Sequence, residues 1–387
     1  MGVTMNDDET DASETTREVA SDESLAATLR LILVSGVGPI TRKALLEHFG
    51  SSQAVLDAPS SELRRVPGVG PKLSQLIAGA KQEIDVESEI ATCREHGVTI
   101  VTEEHSSYPR MLREIHDPPG VLFMLGDLRE EDAIAVAIVG TRHATQYGEQ
   151  QAERLAGGLA RAGIMVISGL ARGIDAAAHR GAIAAGGRTI AVLGSGVLNV
   201  YPPEHAELSQ QVIRHGALIS EAPPHMQPLS GMFPQRNRVI TGMSLGVIVV
   251  EAAERSGALV SAKHAMEQGR EVFAVPGRVD SRTSRGCHHL IRDGAKLVES
   301  VDDVLEELGP LVKATPSKDG LLVRRPAELQ LNVQEQAVLN AIADHPTSID
   351  QVVITSRLPV SRVLSTISVL EMRRLIRRVS GNLVVRV

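Results

Sequence analysis

Residues 98–305 alternate short apolar runs with segments long enough for a helix, and this alternation constrains the fold more than any other feature of the chain. Strand–helix alternation of this kind is typical of βαβ units, which build a parallel sheet with helices on both faces. We therefore predict a Rossmann-like, doubly wound α/β domain over this range. The predicted strands are Ala133–Val139, Ile164–Ser168, Thr189–Leu193, Ala217–Ser220, Val247–Val250 and Glu271–Val275. The helices predicted between them are Gln146–Ala162, Asp175–Ala185, Glu204–His215 and Leu259–Gln268.

A helical region is predicted before this domain. Residues 25–97 contain two Gly-x-Gly breaks, Ser35–Gly38 and Pro67–Gly70, and each break separates two amphipathic stretches. This is the helix-hairpin-helix (SAM-like) pattern, in which glycines allow a tight turn and the next helix begins with free backbone amides that can hold a phosphate. The same pattern also fits a purely structural helical domain, so the sequence leaves DNA contact by residues 25–97 open.

A small module is predicted at the other end of the chain. Residues 306–330 include three prolines and are typical of a linker. Residues 331–387 have the pattern of three helices followed by a β pair, which predicts a winged helix, a fold that binds DNA or protein. The predicted helices are Glu335–Ala343, Ser348–Ser356 and Val360–Arg373, and the predicted β pair is Arg377–Val379 and Asn382–Arg386 about a Ser380-Gly381 turn.

The net charge of the chain is concentrated in its first residues. Residues 1–24 hold eight acidic side chains and one arginine, so they carry the whole net charge of −7, and their Thr/Ser-rich composition predicts a disordered acidic tail. The remaining residues are neutral overall, and local basic patches in them can still bind phosphate.

The cellular location is inferred from cysteine content and hydropathy. Two cysteines, Cys93 and Cys287, stand far apart, which fits a reducing cytoplasm and predicts neither a disulfide nor a metal site. The chain has no apolar run of membrane-spanning length and no secretion signal at its start. We therefore expect a cytoplasmic protein that does not enter the membrane.

Glycine-rich turns follow four of the predicted strands. Ligands of open α/β sheets bind at the carboxyl ends of the strands, where these turns lie. Each turn combines glycine with Ser, Thr or Arg, and such groups attract anions when they meet a helix N-terminus. We therefore predict a phosphate-binding rim, with glycines used only for packing as the alternative. The turns are Gly140-Thr141-Arg142, Ser168-Gly169-Leu170-Ala171-Arg172-Gly173-Ile174-Asp175, Gly194-Ser195-Gly196 and Arg255-Ser256-Gly257.

The class of phosphate ligand follows from the motifs that are present. The first turn has one glycine rather than Gly-x-Gly-x-x-Gly, and no nucleoside triphosphatase loop occurs, so we predict no nucleotide cofactor. Before the fifth of these strands, Phe233 offers a ring on which a base can stack, and Asn237 offers a donor and an acceptor. Arg236 and Arg238 can neutralise phosphates, although a core Phe with surface arginines fits the same spacing. With four Phe, three Tyr and no Trp in the chain, binding should depend on phosphates and tolerate any base sequence.

Taken in order, these motifs resemble the DNA-processing protein A (DprA/Smf) family. The resemblance is specific over about residues 105–298 and less distinctive in the two end domains. The motifs that carry it are Tyr108-Pro109, Asp117-Pro118-Pro119, Ile138–Arg142, Ser168–Asp175 with His179, Leu193–Gly196 with Tyr201-Pro202-Pro203, Phe233–Ile240, Glu251-Ala252 with Ser256-Gly257, and Glu267–Val272 leading to Pro276-Gly277.

The resemblance implies a recombination mediator that binds single-stranded DNA and has no catalytic reaction. Such a protein shields incoming single strands and helps to load the RecA recombinase in natural transformation, and the resemblance also implies a homodimer. It implies Arg142 as a ligand of backbone phosphate, Phe233 beside a base, and Arg236 with Arg238 at the basic edge of a pocket. The residues implied as pocket lining are Ser168, Gly169, Gly194, Ser195, Ser256 and Gly257.

Two positions depart from the family pattern. Ser230 stands where some relatives carry lysine, which would weaken that contact. His288 stands at the usual asparagine position of the motif Gly286–Ile291, where it can hydrogen-bond in place of the amide or mark a changed pocket.

Two other functions compete with this hypothesis. A phosphoribohydrolase-like enzyme would need Pro-Gly-Gly-x-Gly-Thr-x-x-Glu, which the chain lacks, and its acid–base groups would have to be Asp175, His179 or Glu251. We expect instead that Asp175 caps its helix and that His179 bonds locally. A transcription factor acting through the winged helix would leave the phosphate-binding turns unexplained.

Overall fold

The computed structural model describes residues 23–309, 315–316, 322–323, 333–343, 345–372, 375–379 and 382–386. Within these ranges the helices are α1 (23–33), α2 (Pro39–Phe49), α3 (Ser52–Asp57), α4 (Ser60–Leu63), α5 (Pro71–Glu83), α6 (Val86–Glu95), α7 (Arg110–Arg113), α8 (Gln146–Arg161), α9 (Ile174–Ala184), α10 (Ala206–His215), α11 (Met232–Gly242), α12 (Gly257–Glu267), α13 (Arg285–Arg292), α14 (Val301–Leu308), α15 (Val333–Asn340), α16 (Ile349–Ser356) and α17 (Val360–Met372). The strands are β1 (Thr99–Thr102), β2 (Val121–Gly126), β3 (Ala135–Val139), β4 (Met165–Ser168), β5 (Thr189–Val192), β6 (Gly216–Ser220), β7 (Gly246–Val249), β8 (Glu271–Ala274), β9 (Lys296–Leu297), β10 (Thr315–Pro316), β11 (Leu322–Val323), β12 (Thr347–Ser348), β13 (Ile376–Arg378) and β14 (Leu383–Arg386).

A nine-stranded sheet runs in the order β1-β2-β6-β5-β4-β3-β7-β8-β9. In this sheet order, every neighbouring pair from β6 through β5, β4, β3, β7 and β8 to β9 is parallel. The pairs β1 with β2 and β2 with β6 are antiparallel. The chain proceeds outward from β3 to β6 and then returns to β7 on the other side of β3. This reversal is the switch point of a doubly wound sheet, and it places a crevice at the carboxyl ends of β3 and β7. The predicted Rossmann-like fold is confirmed.

The six predicted strands are present as β3 to β8, within two residues of their predicted bounds. Every residue of β3 to β7 is buried, which is why these strands are visible in the sequence as continuous apolar runs. Along β3, Val136 and Ile138 face the apolar cluster under α8 and α9, and Ala135, Ala137 and Val139 face the cluster under α11 and α12. Successive side chains of one strand therefore stabilise both helical layers.

The helix-hairpin-helix turns precede α2 and α5, as predicted. Gly36 and Gly68 adopt positive φ angles of 95° and 86°, which strain any residue that carries a Cβ. Each following helix begins with a proline, whose fixed φ and missing N–H suit the first helical position. The sequence pattern thus identified both turns from their glycines.

Two predicted boundaries are wrong by a few residues. Residues 23 and 24 belong to α1 and not to the acidic tail, of which residues 1–22 lie outside the described ranges. The predicted linker 306–330 begins inside α14, because Ser300 and Asp303 form a capping box and Leu308 is buried against the sheet domain. A short antiparallel pair, β10 with β11, also lies within 306–330, and the rest of that range lies outside the described residues.

The carboxyl-terminal module has the predicted winged-helix elements. Helices α15, α16 and α17 share one apolar cluster with β13 and β14, and β12 adds a third strand to the wing sheet. The predicted Ser380-Gly381 turn lies outside the described residues. Among the helices that the structure describes, none is both long enough and apolar enough to span a bilayer.

Candidate nucleic-acid interface

The turn after β3 lies at the switch point, and neighbouring segments hold it from both sides. Thr141 N donates to Glu251 O at 2.8 Å, which joins this turn to the turn after β7, and Ile174 N at the start of α9 donates to Thr141 O at 3.3 Å. A Cβ on Gly140 would lie 2.7 Å from Ile174 Cβ. Gly173 has a φ of 70°, and a Cβ there would collide with Thr141 O. These two glycines therefore allow three segments to close around the crevice.

An exposed arginine lies over an aromatic ring at this crevice. Arg142 Cζ is 5.0 Å from the centroid of the Phe233 ring, and the Tyr201 ring centroid is 5.7 Å from that of Phe233. A Cβ on Gly194 would lie 2.8 Å from Phe233 Cδ1, so the glycine makes room for the half-buried ring. We call Arg142, Tyr201 and Phe233 the stacking platform. It offers a bidentate phosphate ligand beside two rings on which bases can stack.

Tyr201 was not among the predicted site residues. The signal that could have found it is the Tyr201-Pro202-Pro203 run, which follows the turn after β5 and was noted only as a family motif. The contact itself depends on α11 bringing Phe233 to the loop that carries Tyr201, and sequence separation hides such a contact.

Arg236 was predicted to lie at an exposed edge of the pocket, but the structure buries it, and only 5% of the residue is exposed. Its Nη1 donates to Gly169 O at 2.7 Å and also to Val192 O, so it joins the carboxyl ends of β4 and β5. A Cβ on Gly169 would collide with this guanidinium. Asp175 Oδ2 accepts from Gly169 N at 3.1 Å and from Ala171 N at 3.3 Å. Asp175 therefore stabilises the turn before α9 rather than capping the helix, which corrects our expectation.

The charges of Asp175 and Arg236 are both buried. Burial raises the pKa of Asp175, and the nearby positive charge of Arg236 opposes this shift. Burial likewise lowers the pKa of Arg236 to about 10, against the attraction of Asp175. The opposite charges of Asp175 and Arg236 and the backbone hydrogen bonds thus offset part of the cost of burying both groups, although Arg236 Nε has no hydrogen-bond partner.

Arg238 is also buried, with 5% exposure, so the predicted basic edge formed by the two arginines is wrong. Its guanidinium donates to Asp117 O at 2.6 Å and forms ion pairs with Asp117 Oδ2 at 3.2 Å and with Glu221. The physical reason is that residues 232–242 form α11, which packs onto the strand ends beside these carboxylates. Arg236 and Arg238 hold the fold of the interface.

The predicted pocket serines are hydrogen-bonded within the protein. Ser168 Oγ donates to Ile138 O at 2.6 Å, and Ser195 Oγ donates to Asn199 O at 2.7 Å, and both side chains are buried. Ser256 Oγ accepts from Ala258 N at 3.3 Å and caps α12. The structure therefore places these hydroxyls where they fix the turns around the crevice.

The remaining predicted residues lie around the same edge of the sheet. Asn237 Nδ2 donates to Gly257 O at 3.4 Å, which connects α11 with the start of α12. Arg172 is exposed and forms an ion pair with Glu204. His288 is half-buried, and its Nε2 lies 3.1 Å from Gly277 O, so it makes a hydrogen bond from the position where the family pattern has asparagine.

Two further exposed arginines, Arg255 and Arg282, follow β7 and β8. Neither forms an ion pair with any residue that the structure describes. Their loops are joined, because Ala252 N donates to Thr283 O at 2.7 Å and Gly286 N donates to Ala252 O at 2.8 Å. Since β3, β7 and β8 are neighbours in the sheet, these arginines extend the positive charge of Arg142 along its carboxyl edge.

The acid–base candidates are held inside the protein. His179 Nδ1 lies 2.7 Å from Thr189 Oγ1, and burial lowers the pKa of His179 to about 3. Glu251 accepts from Thr145 N at 2.9 Å, from Thr145 Oγ1 at 2.7 Å and from Thr283 Oγ1 at 3.1 Å. The local bonding expected for His179 is present, and Glu251 connects three turns beneath the crevice.

A separate cleft of about 720 Å³ lies between the first helix-hairpin-helix turn and the start of α11. Its lining is mainly apolar, and it includes the carboxylates of Asp117 and Glu221 together with the arginines Arg42 and Arg238. Burial raises the pKa of Glu221, against the attraction of Arg238. Because Arg42 is paired with Glu103, and Arg238 with Asp117 and Glu221, we place the interface at the stacking platform, where Arg142 is exposed.

Comparison with known proteins finds matching family models in three parts of the chain. A family model for the DNA recombination-mediator protein A matches residues 99–309, which is more than half of the chain. The chain belongs to this family. A DprA winged-helix model matches residues 323–382, and a SAM-like helix-hairpin-helix tandem model matches residues 28–79.

Members of the DprA/Smf family match over most of the chain. Protein Smf of Synechocystis sp. is 32% identical over 380 residues, which cover 90% of this chain and 95% of the relative. DNA processing protein DprA of Bacillus subtilis is 44% identical over 220 residues, 57% of this chain and 74% of the relative. The X-ray structure of DprA from Streptococcus pneumoniae has a TM-score of 0.64 and 35% identity, and covers 73% of this chain and 97% of that chain. The family is one of DNA-processing recombination mediators, so the phosphoribohydrolase-like alternative is not favoured.

Proposed function

We propose that the stacking platform binds single-stranded DNA and that the chain acts as a recombination mediator through this contact. The observation that carries the proposal is the exposed Arg142 guanidinium, 5.0 Å from the Phe233 ring centroid at the switch point of the sheet. A guanidinium fits a phosphate, and an aromatic ring fits the face of a base. The phosphate and the base of one nucleotide can therefore both bind at this place.

The platform favours a single strand over a duplex. Base faces are covered by neighbouring pairs in a duplex, whereas in a single strand they are free to stack on Phe233 or Tyr201. Arg255 and Arg282 supply further phosphate contacts on the same edge of the sheet. Contacts of this kind do not read base edges, so we expect binding that tolerates any sequence and weakens with salt.

We also propose that the chain acts as a homodimer and helps to load RecA onto the bound strand, as the family resemblance implies. Sedimentation of the full chain tests the dimer, and a single monomeric species at every concentration used would contradict it. Recombinase filament assembly on strands coated with single-strand-binding protein tests the loading. Equal assembly rates with and without this chain would contradict that part of the proposal.

The test of binding is equilibrium titration of a fluorescent oligonucleotide over a salt series, single- against double-stranded, with mononucleotide as competitor. Tight, salt-sensitive, single-strand-preferring binding that mononucleotides barely displace supports the proposal. Binding of duplex alone would point to a regulator that acts through the winged helix. Binding of mononucleotide alone would point to the nucleotide-cleaving enzyme.

A further inference from the structure

A second positively charged surface lies on α8 and α9, away from the stacking platform. It is a cleft of about 510 Å³ whose lining includes Arg154, Arg161 and Arg180 together with Gln150. Glu153 is the one acid among its lining residues, so the cleft has an excess of positive charge. We call this surface the arginine cleft.

The arginine cleft exists because α8 and α9 pack unusually closely. A Cβ on Gly181 would lie 2.7 Å from Glu153 Cα, so only glycine permits this approach of the two helices. Gly157 and Gly181, with Ala184 and Ala185, form a floor of small residues. The long arginine side chains therefore surround a depression in the surface, whose floor is formed by these small residues.

The guanidinium groups of the cleft are available to an anion. Arg161 is exposed and forms no ion pair within the described part of the chain. Arg154 is held by hydrogen bonds to Gln151 Oε1 at 3.0 and 2.7 Å and to the backbone carbonyl of Glu299, which orient the side chain without neutralising it. Arg180 lies 3.4 Å from Glu153, but both side chains are about half exposed, at 46% and 45%, and such surface pairs are weak. A phosphate can replace the carboxylate.

Helix α8 leads from the stacking platform to the arginine cleft. The helix begins at Gln146, four positions after Arg142. With a rise of about 1.5 Å per residue, Arg154 lies about 12 Å and Arg161 about 22 Å along the axis from that start. At about 3.4 Å per stacked nucleotide, the longer distance corresponds to about six or seven nucleotides of one strand.

We propose that the arginine cleft binds backbone phosphates of the same DNA strand that occupies the stacking platform. This inference rests on the proposed function and extends it, because it assigns a path along α8 and a length to the bound strand. No aromatic side chain is among the lining residues of the cleft, so it would hold phosphates and leave the bases free.

The test uses the full chain with the double substitution R154Q/R161Q and the control R214Q. Arg214 is an exposed arginine of α10 that lies outside the cleft, so its replacement changes charge without touching the proposed path. We measure the affinity and the salt slope, which is the slope of log affinity against log salt concentration. A single strand of about 4 nucleotides fills the platform alone, and one of about 20 nucleotides fills both the platform and the cleft. We expect R154Q/R161Q to weaken the long strand about tenfold at low salt, to reduce its salt slope by about two units, and to leave the short strand unchanged.

Three comparisons make the result decisive. Arg161→Lys in the otherwise wild-type chain keeps the positive charge and should therefore keep most of the wild-type salt slope. The control R214Q should match the wild type in both affinity and salt slope. The inference is overturned if R154Q/R161Q binds the long strand as the wild type does, or weakens both lengths equally. Arg142→Ala should weaken both lengths, and unchanged binding of both would contradict the proposed function instead of the cleft.

Discussion

Arg142 and Arg236 are close enough for the charge of Arg142 to lower the pKa of Arg236, yet their surroundings give them different roles. Arg142 is exposed, its guanidinium lies over an aromatic ring, and it forms no hydrogen bond or ion pair with any residue that the structure describes, so its donors are free for a phosphate. Arg236 is buried, and its Nη1 donates to the carbonyls of Gly169 and Val192. Arg142 can therefore bind the ligand, whereas Arg236 fixes the surface on which the ligand lies.

Replacement of Arg142 tests the phosphate contact. We expect Arg142→Ala to weaken single-strand binding by about 1–3 kcal/mol and to reduce the salt slope by about one unit. Titrations at several salt concentrations measure both quantities. A slope identical to that of the wild type would show that Arg142 contacts no phosphate.

Replacement of Phe233 tests stacking separately from packing. Phe233→Ala should weaken binding by about 1–3 kcal/mol because the base loses an aromatic face. Phe233→Leu restores apolar volume beside Gly194 without restoring a ring, so it should bind as weakly as Phe233→Ala while unfolding at a higher denaturant concentration. Wild-type affinity in the leucine variant would make Phe233 a packing residue only.

Buried His179 predicts a pH dependence of stability. The folded chain keeps His179 neutral down to a pKa of about 3, whereas an unfolded histidine takes up a proton near pH 6.5. The unfolded state then binds more protons, so the free energy of unfolding should fall as pH drops below about 6.5, by up to about 1.4 kcal/mol per pH unit. His179→Gln should flatten this slope in denaturant titrations between about pH 4 and 7. The exposed His116→Gln is the control, and equal slopes for wild type and His179→Gln would refute the assignment.

At the scale of elements, α11 determines the interface, and it is one of the elements that the sequence pattern missed. Its first turn contains Pro234, and the run around it has few apolar residues, so the segment did not stand out as a helix. A proline is nevertheless compatible with a first helical turn. Once α11 packs on the strand ends, it presents Phe233 to the crevice and turns Arg236 inward.

The parts of the fold and of the site that can be predicted from the sequence are those with local signals. Strands β3 to β8 and the glycine turns after them were found because their signals are local: continuous burial and tight turns. The burial of Arg238 could not be found, because it depends on Asp117 and Glu221, which are distant in sequence and meet it only in the folded chain. The arginine cleft was missed for the same reason, since its side chains come from two helices.

The close packing of α8 on α9 gives a prediction at this scale. Gly181→Ala places a Cβ 2.7 Å from Glu153 Cα, so the helices must separate, and we expect a loss of about 1–3 kcal/mol in the free energy of unfolding. Gly79→Ala in α5 is the matched control, because its Cβ would meet only the flexible end of Glu83. Higher helix propensity should make that variant equal to or about 0.5–1 kcal/mol more stable than the wild type. Chemical denaturation compares the two, and equal effects would mean that the helix contact is not tight.

At the scale of the molecule, the amino-terminal helices share a core with the sheet, since Leu29 and Cys93 lie in one apolar cluster with Phe123, whereas the described residues of the winged helix do not. The winged helix has its own apolar cluster and its own small sheet, and the sheet domain has clusters that none of its residues join. The stacking platform, the added arginines and the arginine cleft all belong to the sheet domain. Strand binding should therefore be a property of that domain.

Removal of the winged helix tests this division. A chain that ends at Gly309 should keep the single-strand affinity of the full chain within about threefold and keep its salt slope, because no proposed phosphate contact is lost. The same titrations measure both. Complete loss of binding in a folded truncated chain would move the DNA contact to the winged helix and favour a regulator.

The contact of Arg142 with Phe233 has a consequence for how a strand is released. The ring face carries a cation in this structure, so a base that stacks there replaces one partner of the ring with another. The displaced guanidinium is then free to follow the phosphate of the same nucleotide. When the strand leaves, the arginine can return to the ring face. We infer that strand binding at this ring is an exchange of partners, in which the guanidinium and a base alternate on one aromatic face.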